Sequence, residues 1–288
     1  MGLPLPGSLT RFVHEPHAID GWFRPIAASV YRVLTAQELL VARALDALLP
    51  RPADDQLVAQ ATALIKTFER PRVLRRLLSS LQRLYPSLSI VVIDDSREPV
   101  RLEGVTTVVM PYDSGISAGR NEGLKHVTTK YVLVLDDDLV FYRNTRLAEA
   151  LALLEQHPEI DIMGGQLVDV PFLTTRPLGA IAGSIYATEA VPTVPIGSTL
   201  HGLTVCEKVA NFFLARTDRL ALVPWDPELK RMEHADFFTR ALGTLTTVYN
   251  PRFKCFHART PFEAAYMAKR LDVAAPRRLL AERYGDRR

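Results

Sequence analysis

Residues 131–138 read YVLVLDDD, a short apolar run that ends in three consecutive aspartates. An apolar run of this length predicts a buried strand. Three adjacent carboxylates repel one another unless a cation or several hydrogen-bond donors compensate them. A helix cap is the alternative interpretation, but it accounts for one aspartate and not for three. The stretch therefore favours a strand whose carboxyl end holds a divalent metal ion.

The sequence around this run alternates between short apolar runs and helical patterns. Alternation of this kind is typical of βαβ units and predicts an α/β fold with a mostly parallel sheet. In such sheets, ligands bind outside the carboxyl ends of the strands. Strands are predicted at 61–67, 89–95, 106–110, 131–138, 160–165, 209–216, 246–250 and 253–257, and helices at 36–49, 71–85, from about 120, at about 144–156 and at 234–243.

Composition excludes several classes of protein. The chain has 288 residues, of which 48% are hydrophobic and 23% charged, as in soluble globular proteins. A disordered chain, a collagen-like repeat and a polytopic membrane protein are therefore excluded. The formal charge of +3 is too small to indicate a nucleic-acid partner. We expect a cytoplasmic protein, with Cys206 and Cys255 as small buried residues, because no signal peptide or disulfide framework is recognisable.

Two predicted strands end in clustered acids, Asp94-Asp95 and Asp136-Asp137-Asp138. Hard oxygen ligands suit Mn²⁺ or Mg²⁺, which commonly bind through one or two carboxylates together with substrate phosphates. The pattern therefore predicts a phosphate-bearing substrate. The sequence contains no G-x-x-x-x-G-K-[ST] motif, and no G-x-G-x-x-G follows the first strand, so a P-loop NTPase and a dinucleotide oxidoreductase are not indicated.

The ordered motifs between Ile65 and His257 resemble a known family. They include IKTFERPRVLRRLLSSL, SAGRNEGLKHVTTKYVLVLDDDLVF, VANFFLARTD, EHADFF and CFHAR. This set resembles GT-A fold, family 2-like glycosyltransferases, and more narrowly the β-1,4-N-acetylgalactosaminyltransferases of ganglioside synthesis. The resemblance implies a Rossmann-like, mostly parallel sheet flanked by helices, with a smaller acceptor-side sheet. It also implies metal-dependent, inverting transfer from a UDP-sugar carrying GalNAc, GlcNAc or Gal.

The resemblance further assigns residues to the donor site and to the metal. Arg120 and Asn121 match positions near the nucleotide and donor sugar, and Trp225 is equally compatible with a wall for a sugar face and with simple core. Asp138 is the first choice for direct metal contact, with Asp136 and His257 as further ligands. The substrate-binding set is Lys66, Thr67, Arg70, Asp94, Asp95, Arg120, Asn121, Asp136, Asp137 and Trp225.

An inverting transfer needs a base that takes the proton of the acceptor hydroxyl. By resemblance, Glu233 in EHADFF is the best candidate, and Asp236, one helical turn later, is the alternative. Related sequences often carry Glu-Asp here, whereas this chain has Glu233-His234, so His234 also stays open as the base.

The chain is divided by pattern into three parts. Residues 1–60 are a helical extension, residues 61–258 the glycosyltransferase domain, and residues 259–288 a basic tail. Within the domain, about 61–165 is the nucleotide half and about 166–258 the acceptor half. The two terminal parts could serve the domain itself, a membrane surface or a homodimer.

The sequence leaves the acceptor open between a glycan, a glycolipid and a small molecule. A nucleotidyltransferase acting on a sugar phosphate and a non-catalytic glycan-binding subunit are the alternative functions.

Overall fold

The computed structural model describes residues 21–48, 50, 56–175 and 185–285. Its helices are α1 Arg24–Leu48, α2 Pro71–Leu84, α3 Ile116–Leu124, α4 Leu147–Gln156, α5 Thr217–Leu220, α6 Glu233–Ala241, α7 Ala264–Leu271 and α8 Ala274–Tyr284. Its strands are β1 Ala61–Thr67, β2 Ser89–Asp94, β3 Thr106–Val109, β4 Tyr131–Asp136, β5 Leu139–Val140, β6 Ile162–Asp169, β7 Thr174–Thr175, β8 Thr199–Leu200, β9 Leu203–Val205, β10 Phe212–Arg216 and β11 Thr247–His257.

All strands of the described residues belong to one sheet, in the order β3-β2-β1-β4-β10-β6-β11-β9-β8, with β5 on β11 and β7 on β6. The four strands β3, β2, β1 and β4 are parallel to one another. In their register, Lys66 pairs with Asp136 and Thr67 pairs with Asp94. This register brings the two acidic strand ends to one edge of the sheet, as the sequence pattern predicted.

The second half of the sheet joins the first through β10. This strand runs antiparallel to both β4 and β6, and β6 runs parallel to β11. The short strands β8 and β9 then extend the same sheet beyond β11. The predicted α/β class is confirmed, but the acceptor-side strands do not form the separate smaller sheet that we expected.

Apolar side chains cover both faces of the sheet. Helix α2 begins with Pro71, whose missing N–H costs nothing in a first turn, and buries Leu74, Leu77 and Leu81 against one face. On the other face, a Cβ at Gly123 in α3 would lie 2.3 Å from Leu64 Cδ1. Helix α3 therefore approaches β1 closely only because this position lacks a side chain.

Three helix boundaries differ from the predictions. Helix α3 starts at Ile116 and not near residue 120, because Gly115 adopts a φ of 93° and ends the preceding loop there. Helix α4 starts at Leu147 because Arg146, with a φ of 56°, separates it from a 3₁₀ turn. Helix α1 extends back to Arg24, since Pro25 is tolerated in a first turn.

Strand β11 replaces two predicted strands. The register shifts between Asn250 and Lys254, around Pro251. Proline cannot donate to a ladder and is found in sheets at edges and bulges, so the chain bulges here and then resumes pairing with β6. The continuation matters because His257, at the end of β11, lies opposite Asp169 at the end of β6.

Helix α1 exposes much of its apolar surface. Leu40, Leu48 and Val33 are exposed, whereas Tyr31 is buried and donates a hydrogen bond of 3.0 Å to the carbonyl of Val170. In the part of the chain that the structure describes, no helix has the length and apolarity needed to cross a bilayer. Cys206 and Cys255 are free and buried, as predicted.

Candidate functional site

A cavity of about 370 Å³ opens at the carboxyl ends of β1, β2 and β4. Eight residues that the sequence nominated line it, together with His234, the alternative base. The eight are Lys66, Thr67, Arg70, Asp95, Asp136, Asp137, Asp138 and Glu233. The cavity therefore brings together residues from four elements that are separated by up to about 170 positions in the chain.

Lys66 and Asp95 form a buried ion pair on one wall. The Lys66 ammonium also donates a hydrogen bond of 2.8 Å to the Thr67 carbonyl, and Asp95 Oδ2 accepts one of 3.0 Å from the Gly115 amide. Burial lowers the pKa of Lys66 from its ordinary value, and Asp95 opposes this shift. Because Asp95 binds both the strand and the loop before α3, it fixes the entrance to that helix.

Arg70 neutralises two of the three consecutive aspartates. Its guanidinium forms ion pairs with Asp137 and, at 3.1 Å, with Asp138 Oδ2, and the Thr67 hydroxyl donates to Asp137 at 2.7 Å. Burial raises the pKa of Asp137 to about 6, against the opposing charge of Arg70. The Arg70 guanidinium in turn lies over the Tyr266 ring, 3.8 Å from its centroid. This network holds the acidic turn rigidly after β4.

Asp138 Oδ1 is buried and has no hydrogen-bond partner, and it lies 3.5 Å from His257 Nε2. The other ring nitrogen of His257, Nδ1, lies 2.7 Å from Asp169 Oδ1. Burial alone would raise the pKa of Asp138 and lower that of His257. The charges of Arg70 and His257 outweigh it for Asp138, whose pKa falls well below its ordinary value, and Asp138 and Asp169 outweigh it for His257, whose pKa rises to about 9.

This arrangement fits a divalent metal ion. A ligating histidine commonly donates its second ring N–H to a carboxylate, which fixes its orientation. An unpartnered carboxylate oxygen beside the Nε2 atom of such a histidine is a donor pair of the kind that Mn²⁺ accepts. Asp138 and His257 are therefore suited to the cation that the sequence predicted, although His257 stands behind Asp138 and does not line the cavity.

Arg120 joins Asp136, the remaining aspartate of the three, to Glu233, the candidate base. Its guanidinium donates to Asp136 Oδ1 at 2.9 Å and to Glu233 Oε1 at 2.8 Å. Asn211, which the sequence interpretation missed, donates to Asp136 Oδ2 at 3.3 Å. The Asp136 side chain is 38% exposed, whereas those of Asp137 and Asp138 are almost fully buried. Asp136 is thus the aspartate whose carboxylate is most accessible to a ligand.

Glu233 and His234 stand at the first turn of α6, after Met232 in the left-handed region at a φ of 63°. Burial, with a smaller contribution from Asp136, raises the pKa of Glu233 above its ordinary value, and Arg120 opposes this. Burial, with the charges of Lys208 and Arg120, lowers the pKa of His234 to about 3. His234 is therefore a neutral side chain at physiological pH. The Glu233 carboxylate is more basic than that of an exposed glutamate, because its pKa is raised.

Six nominated residues lie outside the cavity lining: Arg120 and His257, described above, and Asp94, Asn121, Trp225 and Asp236. Asp94 accepts backbone hydrogen bonds from Ser96 at 2.9 Å and Val100 at 2.8 Å, and so orders the loop after β2. Asn121 exchanges hydrogen bonds of 2.7 and 2.9 Å with the backbone of Trp225. The Trp225 ring is buried and stacked on Phe237, with ring centroids 4.8 Å apart, which corresponds to the core interpretation of this residue.

Asp236 also lies outside the lining. It is fully buried and forms ion pairs with Arg240 at 2.9 Å and Arg283 at 2.8 Å, and it accepts a hydrogen bond of 2.7 Å from the Tyr284 hydroxyl. These contacts tie α6 to the end of α8. Asp236 is therefore placed for a structural role, and the geometry favours Glu233 of the two carboxylates.

Sequence reasoning missed the contribution of the basic tail to this cavity. Helix α7 and its C-terminal flank supply Tyr266, Lys269, Arg270 and Val273 to the lining, and the loops supply Asp113, Asn211, Lys230 and Arg231. Lys269 also lies 3.7 Å from Asp113. The excess of positive charge in the tail was the available signal, but it did not show that the tail folds back over the acidic strand ends.

Comparison with known proteins identifies the domain to which this cavity belongs. The model of the family described as "Glycosyl transferase family 2" matches residues 62–180. This part of the chain is therefore similar to family 2 glycosyltransferases. Human "Beta-1,4 N-acetylgalactosaminyltransferase 1" is 39% identical over 214 residues, which cover 68% of this chain and 38% of that protein. Mouse "Beta-1,4 N-acetylgalactosaminyltransferase 2" is 35% identical over 217 residues, or 69% of this chain and 40% of that protein. The chain thus spans about two fifths of the length of these curated relatives.

Solved structures confirm the GT-A fold of this chain. S. aureus TarS 1–349 has a TM-score of 0.53 at 18% identity, covering 69% of this chain and 60% of that one. The same fragment solved with UDP-GlcNAc has a TM-score of 0.52. GalNAc-T7, solved with UDP, GalNAc and Mn²⁺, has a TM-score of 0.53 at 16% identity, covering 71% of this chain and 45% of that one. At these identities the likeness establishes the fold, and the resemblance noted from the motifs is confirmed.

Proposed function

We propose that this chain transfers a sugar from a UDP-sugar to an acceptor hydroxyl, with inversion at the anomeric carbon, and that a divalent ion is required. The observation that carries the proposal is the buried, unpartnered Asp138 Oδ1 beside His257 Nε2, in the wall of the cavity that also contains Glu233. The domain's relatives named β-1,4-N-acetylgalactosaminyltransferases support the same reaction class.

The carboxyl edge of the sheet is proposed as the donor site. Asp95 and Lys66 stand where a carboxylate can accept from a nucleoside and an ammonium can face negative charge. Arg270 faces the same cavity, and the described residues offer it no ion-pair partner within 4.0 Å. Its guanidinium donates a hydrogen bond of 3.2 Å to the Tyr266 hydroxyl, and its charge is proposed to meet the diphosphate.

Asp138 and His257 are proposed to hold the metal, with Asp136 facing the ribose or a water molecule on the ion. Mn²⁺ or Mg²⁺ suits the oxygen donors, and a relative of the same fold is solved with UDP and Mn²⁺. When bound, the ion supplies a Lewis acid that neutralises charge on the departing UDP. Arg70 keeps Asp137 and the second oxygen of Asp138 in place, so the free oxygen of Asp138 stays directed to His257.

Glu233 is proposed as the base. The acceptor oxygen forms the new bond to the anomeric carbon, the bond from that carbon to UDP breaks, and Glu233 takes the proton of the acceptor hydroxyl. Its raised pKa suits this role, because a base is most effective when its pKa approaches the working pH. Arg120 orients the carboxylate through its hydrogen bond of 2.8 Å.

The donor sugar is proposed to be GalNAc, with GlcNAc and Gal as the alternatives. The names of the curated relatives favour GalNAc, whereas TarS was solved with UDP-GlcNAc. The acceptor is proposed to be a hydroxyl of a glycan, glycolipid or small molecule, bound by the acceptor half at about 166–258. We also propose that the tail belongs functionally to the donor site, since α7 lines the cavity.

The test incubates the purified full chain with UDP-GalNAc, UDP-GlcNAc or UDP-Gal and measures UDP release, with Mn²⁺, with Mg²⁺ or with EDTA. We expect release from at least one donor, lost in EDTA and lost in the Asp138→Asn variant. The Glu122→Gln variant, which changes an exposed acid of α3, is the matched control. Absence of release from every donor, with pyrophosphate formed from UTP and a sugar 1-phosphate, would establish a nucleotidyltransferase and overturn the proposal.

A further inference from the structure

His157, Glu159 and His201 form a cluster at the amino edge of the sheet. His157 directly follows α4, and Glu159 lies in the short connection between α4 and β6. His201 stands in the two-residue turn between β8 and β9. The cluster is remote from the donor cavity. Ala215 of β10 pairs with Ile162 of β6 on one side and with Val132 of β4 on the other. The start of β6, next to the cluster, is therefore level with the start of β4. Asp136 lies at the other end of β4, about 13 Å further along at the rise of a strand.

The three side chains lie close together. One ligand atom from each residue lies within 4.8 Å of the others. Glu159 Oε1 contacts His201 Nε2 directly and lies 4.0 Å from His157 Nδ1. The two imidazole rings are stacked, with centroids 3.6 Å apart and planes 15° from parallel. Two residues far apart in sequence therefore share a single carboxylate.

We propose that these three residues form a second metal site, which prefers Zn²⁺ over Mg²⁺ or Mn²⁺. Two imidazoles and one carboxylate are the donor set of open zinc sites, in which water takes the fourth position. Imidazole ligands favour zinc, copper and nickel, whereas hard cations prefer oxygen. Tetrahedral zinc at 2.0–2.1 Å from each ligand requires ligand atoms about 3.3 Å apart. Since the three side chains are 21%, 43% and 38% exposed, they can close the remaining distance without moving the core.

A metal at this site would strengthen the link between two segments that already touch here. Hairpin β8–β9 is attached to the sheet only at its outer edge, through β11. Both residues of its turn, His201 and Gly202, have positive φ angles of 51° and 77°. A ligand at this turn would fix the hairpin to the connection that precedes β6. The proposal does not depend on the function of the donor cavity, because none of the three residues lines it.

The test measures Zn²⁺ binding to the metal-stripped full chain by calorimetry, in a large excess of Mg²⁺. The variants are His157→Gln and His201→Asn, since asparagine tolerates the left-handed turn conformation. His126→Gln is the matched control, because His126 is also exposed and lies 3.6 Å from a glutamate, but belongs to no group of three possible metal ligands among the described residues. The Asp138→Asn variant separates this site from the donor cavity.

We expect one zinc ion to bind at the cluster in the wild type, in His126→Gln and in Asp138→Asn. In His157→Gln and His201→Asn its affinity should fall by more than about tenfold, since even an outer partner of a ligand contributes that much. Zinc should also raise the Tm of the wild type and not that of the two cluster variants. Two results would overturn the proposal. One is equal zinc affinity in the wild type and in both cluster variants, and the other is loss of all zinc binding in Asp138→Asn.

Discussion

Arg120 donates a hydrogen bond of 2.8 Å to Glu233, a residue 113 positions later in the chain. The same guanidinium donates to Asp136 at 2.9 Å, and it is almost completely buried. One arginine therefore links the end of β4, where the donor site is proposed, to the first residue of α6, where the base is proposed. The two carboxylates are held at a fixed separation because they share this rigid fork.

Replacing Glu233 with glutamine should abolish transfer and leave the fold intact. Glutamine keeps an oxygen that can accept from Arg120, but it cannot take the proton of the acceptor hydroxyl. Loss of a general base lowers kcat by about 10²- to 10⁴-fold. Steady-state transfer assays measure the loss, and circular dichroism checks the fold. Activity close to that of the wild type would remove Glu233 from the mechanism.

The dependence of kcat/KM on pH should distinguish Glu233 from His234. A base must be deprotonated, so activity falls as the pH drops through its pKa in the free enzyme. Burial raises the pKa of Glu233 above the ordinary 4.5, so the acid limb should lie above pH 4.5. Burial lowers the pKa of His234 to about 3, so an acid limb near pH 3 would identify His234 as the base instead.

Replacing Asp236 with alanine should reduce stability much more than catalysis. The change removes a buried carboxylate from Arg240, Arg283 and Tyr284. Breaking a buried pair by removing one partner costs about 3–5 kcal/mol of the free energy of unfolding. Chemical denaturation measures this loss, and the activity of the folded fraction should stay within a few fold of the wild type. A stable but inactive variant would restore Asp236 as the candidate base.

The sheet and its acidic edge could be predicted because their signals are local. The run 131–138 contains both a strand and its acids, and residues 89–95 contain a second strand and its acids in the same form. The starts of the helices were harder to predict from the sequence than the strands. The start of α3 depends on the positive φ of Gly115 and on the bond from its amide to Asp95, which is 20 positions away. No local pattern reports a contact at that separation.

The chemistry of the site was harder to predict than its location. Asp94 and Asp95 are adjacent and chemically alike, yet Asp94 accepts two backbone amides and Asp95 faces the cavity. Glu233 and Asp236 are one helical turn apart, yet Asp236 is bound by Arg240 of the same helix and by Arg283 of α8, whereas Glu233 faces the cavity. Such assignments depend on tertiary contacts, which the motifs do not encode.

Replacing Arg270 with glutamine should weaken donor binding. Arg270 lines the cavity from α7, and removing its charge should raise the KM for the UDP-sugar by about tenfold, as expected for one charge-assisted contact of about 1.5 kcal/mol. kcat should change less, because the residue does not contact the acceptor hydroxyl in the proposed mechanism. Arg277→Gln, in the exposed part of α8, is the matched control and should behave like the wild type. Equal KM values in both variants would exclude the tail from the donor site.

Asp138 and His257 are proposed to hold a cation that binds the diphosphate of the donor. Calorimetric titration of UDP into the metal-stripped full chain, with and without Mn²⁺, measures whether they do. We expect tight UDP binding with Mn²⁺ in the wild type, and weak binding both without Mn²⁺ and in the Asp138→Asn and His257→Ala variants. UDP affinity that is the same with Mn²⁺, without it and in both variants would show that these two residues hold no such cation.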